Sequence, residues 1–162
     1  MNTPIHWTQR SHLSQEPISK IWDVDQSVLQ SFLPDIKPHG FWYQVDHEWE
    51  EWCSCNMPAW VKPNRCSIEV DHSRMIVIDS FEKLKAFSLK YKYKTITPAQ
   101  LTSEFRTIDW SRVADDYAGI EISPYQHEAR YAYMWYYSWD VASGCVWDSS
   151  AIRIIKNASR II

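Results

Sequence analysis

The chain has 162 residues, 45% apolar and 15% aromatic, with ten tryptophans, three glycines and a net charge of -3. Such a composition describes one globular domain with a core of its own, and excludes both a disordered chain and a surface that tracks nucleic acid over its whole extent. With glycine only at 40, 119 and 144, neither a G-x-G-x-x-G turn nor a Walker A loop exists, so nucleotide binding of the Rossmann or P-loop kind is excluded.

No apolar run reaches the roughly 20 residues needed to span a bilayer, and MNTPIHWTQR lacks the apolar stretch of a secretory signal. A cytoplasmic protein with no membrane partner is the default expectation. In chain order, IHWTQ reads as a first strand and 27–32 as a helical turn stopped before Pro34. GFWYQV is aromatic and β-branched and reads as a strand. Asp46 is then placed to cap a helix over 47–52, with Trp49, Trp52 and Cys53 on one face and Glu48, Glu50 and Glu51 on its solvated side.

CSIEVD and MIVID are strands separated by the turn residues Asp71, His72 and Ser73. Asp79 and Glu82 have capping-box spacing, and Phe81, Leu84, Phe87 and Tyr91 recur on one face of the helix that follows. Thr97-Pro98 opens another helix, and Asp109 a short one that ends near Tyr117. GIEI, YAYMWYY, CVW and AIRII complete the strand set. Strands and helices mix without β-α-β alternation, which predicts one α+β domain over 1–162 with a split, mostly antiparallel sheet and a few short helices.

The four cysteines are compatible with two disulfides, a metal site or four thiols. A His47/Cys53/Cys55/Cys66 zinc set can be drawn, but C-x-C is not the C-x2-C knuckle of a structural zinc site, and reduced thiols are expected. From Tyr131, six aromatics fall within nine residues. They form either an aromatic core layer or a partly open platform able to stack bases, with Arg130 on the backbone.

Each glycine sits at the mouth of a proposed strand, where it allows close approach of another backbone or of a ligand. His6-Trp7-Thr8 on the first strand resembles the H-x-[ST] signature of ADP-ribosyltransferases of the diphtheria-toxin and poly-ADP-ribose-polymerase type. Lys37-Pro38-His39-Gly40-Phe41-Trp42-Tyr43 is similar to that family's second element, a glycine followed by an aromatic that stacks on nicotinamide. The segment from Ala142 to Asp148, with 151–155 after it, looks like the family's closing strand pair. The resemblance covers about a quarter of the chain.

This resemblance implies an ADP-ribosyltransferase-like fold and NAD as substrate. His6 and Thr8 would hold the dinucleotide, Gly40, Trp42 and Tyr43 the nicotinamide, and Ser143 would stand where the family has a glutamate. Glu121 or Asp140 would be the carboxylate that supplies the charge instead. The acceptor would be a protein or a nucleic acid, and so compact an enzyme would suit a toxin, a defence factor or a phage effector. The other expectation is a non-catalytic module whose aromatic cleft holds a nucleotide, single-stranded nucleic acid or a protein partner.

Overall fold

The computed structural model describes residues 7–29, 37–92 and 108–159. Seven strands form one sheet: β1 (Trp7–Ser14), β2 (Phe41–Gln44), β3 (Asn64–Asp71), β4 (Met75–Ile78), β5 (Gly119–Ile122), β6 (Ser143–Val146) and β7 (Ile152–Ser159), in the order β4-β5-β6-β2-β1-β3-β7. Only β4 and β5 run parallel; the other neighbours are antiparallel. A helical turn α1 (Gln26–Leu29) and helices α2 (Glu48–Asn56), α3 (Phe81–Tyr91) and α4 (Trp110–Asp116) complete an α+β domain.

Strand periodicity explains the layering. In β3, Asn64, Cys66, Ile68 and Val70 are buried while the residues between them are half-exposed, the period-two pattern of a strand. All four residues of β5 are buried, because both faces of the sheet are covered there. On one face Ile120 and Ile122 meet Leu84, Phe87 and Tyr91 of α3, Trp110 and Val113 of α4, and Trp135 and Trp139. On the other, Tyr43, Ile68, Val70, Met75, Val146 and Ile152 pack together under Ile18 and Ile21.

The sheet is continuous, yet it has a narrow seam. β1 and β3 are in register over eight residue pairs, whereas β1 and β2 share the single pair Ser11–Gln44. Beyond that pair the two strands part.

Several local expectations are corrected. Asp46 does not cap α2: it takes a left-handed φ of 52°, which Asp tolerates, and the helix starts after His47. Glu48 and Glu50 are not simply solvated. Glu48 accepts from the Ala142 N–H at 2.9 Å, and Glu50 pairs with Arg65. The cap of α3 is Ser80, whose hydroxyl accepts from the Lys83 N–H, while Asp79 pairs with the Lys83 ammonium at 2.8 Å.

YAYMWYY is not a strand. Residues 129–139 wind through successive turns, with Tyr136 N–H on the Tyr133 carbonyl and Trp139 N–H on the Tyr136 carbonyl. That three-residue step buries Tyr133, Tyr136 and Trp139 and leaves Tyr131, Met134 and Tyr137 exposed. The segment is chiefly a core layer, and Arg130 is turned to the Tyr125 hydroxyl, the Trp139 carbonyl and Asp140. Asp109 does cap α4, accepting from Arg112 N–H, and Tyr117 ends it. The helix start at Thr97-Pro98 lies outside the described residues.

Candidate functional site

A cavity of about 270 Å³ opens where β1 and β2 part. His12 and Leu13 of β1, Trp42, Tyr43 and Gln44 of β2 and Ser143 of β6 line it, together with Lys37, Trp49, Trp139, Asp140 and Val141. Three adjacent strands, β6-β2-β1, therefore contribute to one hollow, with Ser143 opposite Gln44 and Trp42 opposite Cys145.

The walls are aromatic. The Trp139 ring meets Trp42 edge-on at 4.9 Å, and its indole N–H has no partner among the described residues. The Lys37 ammonium stands 5.1 Å over the Trp42 ring. Burial depresses Lys37 below its ordinary value, against the opposing pull of Asp140. Asp140, the one carboxylate among the described lining residues, is held by Arg130 at 3.2 Å.

His12 is oriented across the seam. Its Nδ1 lies 2.6 Å from the Trp42 carbonyl oxygen, and since a carbonyl only accepts, Nδ1 must carry the proton. Burial holds this imidazole below its ordinary value, so it is neutral and its Nε2 is an acceptor. Ser143 donates to the Val141 carbonyl at 3.1 Å, which leaves its oxygen as an acceptor too.

Of the residues singled out in the sequence, Trp42, Tyr43, Asp140 and Ser143 line this cavity, and Gly40 does not. Thr8 pairs with Val70, three residues before the seam pair, and is not among the lining residues. His6 lies outside the described residues. Sequence reasoning missed His12. The chain holds a second H-x-[ST], His12-Leu13-Ser14, whose His12 and Leu13 line the cavity; its Ser14 hydroxyl is bonded to the Glu16 carbonyl at 2.6 Å.

Compared with protein-family models, curated proteins and solved structures, the chain matches none.

The glycines serve packing around β6. A Cβ on Gly40 would lie 2.4 Å from the Val146 carbonyl oxygen, and one on Gly144 would lie 2.2 Å from the Tyr43 ring. Tyr43 thus lies flat over Gly144 and reaches Glu121 on β5, donating its hydroxyl at 2.8 Å. Glu121 is 2% exposed and also accepts from Arg10 at 2.8 and 3.0 Å and from His72 at 2.8 Å. Burial pushes this carboxyl up, but the hydrogen bonds and charges of His72 and Arg10 outweigh it and lower it to about 2. Because Glu121 pairs with Gly144, it faces away from Ser143. Asp140, not Glu121, is the carboxylate of the cavity.

Cys53, Cys55, Cys66 and Cys145 are free thiols, and no cluster of three metal-ligating side chains occurs among the described residues. Nor is any helix among them long and apolar enough to cross a membrane.

Proposed function

We propose that the cavity at the seam binds the nicotinamide-ribose end of NAD and that the protein is an ADP-ribosyltransferase-like enzyme. The observation that carries this reading is the meeting of His12, Trp42 and Ser143, from three adjacent strands, in one aromatic-walled hollow. Its volume lies near the lower end of ligand pockets, ~300 Å³ and upward, which suits a ring and its sugar with the rest of the dinucleotide outside.

Each side chain then has a role that its chemistry permits. Trp42 presents the ring against which a planar heterocycle stacks. The His12 Nε2 lone pair and the Ser143 oxygen accept from sugar hydroxyls. Lys37 brings positive charge for a diphosphate folded back over the site. In the transfer, the bond between the sugar C1′ and the nicotinamide nitrogen breaks with its electron pair on the nicotinamide. The acceptor atom bonds to C1′ and releases a proton. Positive charge grows on the sugar as that bond lengthens, and Asp140 is placed to oppose it.

The test is to incubate the full chain with NAD and cell extract while following nicotinamide release and transfer of a labelled ADP-ribose. Turnover is expected, with His12→Ala lowering it at least ~100-fold through lost positioning and Thr8→Ala leaving it intact. A chain that neither releases nicotinamide nor gains thermal stability with NAD overturns the reading. A second reading, NAD binding without transfer, is favoured by the serine at the glutamate position; a thermal shift without nicotinamide release is its signature.

A further inference from the structure

α2 carries an aromatic surface that runs on from the edge of this cavity. Trp49 and Trp52, one helical turn apart, stack with ring centres 5.2 Å apart and planes 7° from parallel. Trp60, from the 3-10 turn after the helix, leans on both at 6.1 and 6.3 Å. Trp60 remains 47% exposed and Met57 39%. An exposed indole grouped with two half-buried ones marks a contact surface, since isolated apolar residues are common on proteins but clusters are not.

The charge beside the stack says what kind of contact. Trp52 shares a shallow hollow with Glu48, Glu51, Cys55, Asn56 and Val141, in which two carboxylates and no cation take part. Phosphates of a nucleic acid would be repelled there. An ammonium satisfies the carboxylates and can sit over a ring, as Lys37 does over Trp42, but has no flat face of its own to stack. A guanidinium does both, stacking on an indole while its edge meets a carboxylate. We propose that this face docks a basic polypeptide segment through arginine side chains.

The surface is continuous with the cavity. Trp49 lines the cavity and begins the stack, and Val141 lines both hollows. A segment held on Trp52 and Trp60 is thereby delivered to the cavity mouth. Docking stands on the surface alone; that the docked segment is also the ADP-ribosyl acceptor rests on the function proposed above.

Fluorescence anisotropy of the full chain with labelled peptides, at physiological salt and without NAD, tests the docking by itself. A peptide alternating arginine and glycine should bind about ten-fold tighter than its lysine counterpart, the margin expected of guanidinium stacking. Trp60→Ala and Glu51→Lys should each weaken it at least about five-fold. Both positions are exposed, and unchanged thermal melting would show that the fold is intact. Equal affinity for the lysine peptide, indifference to both substitutions, or tighter binding of oligo-dT overturns the proposal. Docking without label transfer when NAD is added would leave the docking established and refute the acceptor role.

Discussion

His12 shows how much one proton position decides. With Nδ1–H fixed on the Trp42 carbonyl, only the unprotonated ring offers an acceptor to a ligand. Its protonation is displaced below the ordinary value of about 6.5 by burial. NAD affinity measured by thermal shift should therefore be level from pH 8 to 7 and fall only below that ordinary value, and His12→Ala should remove the acid limb. Asp140 and Ser143 can be separated in the same way. Asp140→Asn should lower nicotinamide release by at least ~100-fold, the scale of losing one preorganised electrostatic group. Ser143→Ala, which loses one neutral hydrogen bond, should cost about ten-fold. Equal losses would mean that the serine carries the charge-bearing role after all.

Between elements, the Glu121 cluster is the main tie. β5 and β1 stand three strand spacings apart, about 14 Å on a flat sheet, and the long side chains of Arg10 and Glu121 bridge the strands between them to meet at 2.8 Å. Its depressed pKa makes the tie pH-dependent. The stabilisation is complete above the unfolded value near 4.5 and is lost as pH falls toward 2, because the unfolded chain then binds the proton first. Urea midpoints between pH 6 and 3 should register a loss of about 2 kcal/mol. Glu121→Gln should cost about 2 kcal/mol at pH 7 by leaving the half-buried Arg10 without its charged partner, and should flatten that pH profile. Gly144→Ala drives a methyl into the Tyr43 ring and should cost ~2 kcal/mol, with chemical denaturation as the readout.

For the molecule as a whole, legibility followed periodicity. β3, β4, β5 and the face of α3 were readable because apolar residues recur at the strand or helix spacing. Residues 131–137 were not, since aromatics at nearly every position hide a three-residue rhythm. The choice between His6 and His12 was also hidden. Both open an H-x-[ST] triplet in the sequence, and only the pairing of Ser11 with Gln44 shows that His12 lies beside Trp42. That lone pairing has a mechanical sequel. A fabric stitched at one point tears there first, so hydrogen exchange should find the amides that bridge Ser11 and Gln44 opening well before those bonded within the β1–β3 ladder. A molecule lodged in the gap would rivet the two halves, and slower exchange at those amides on adding NAD would reveal the riveted state even in a variant that performs no chemistry.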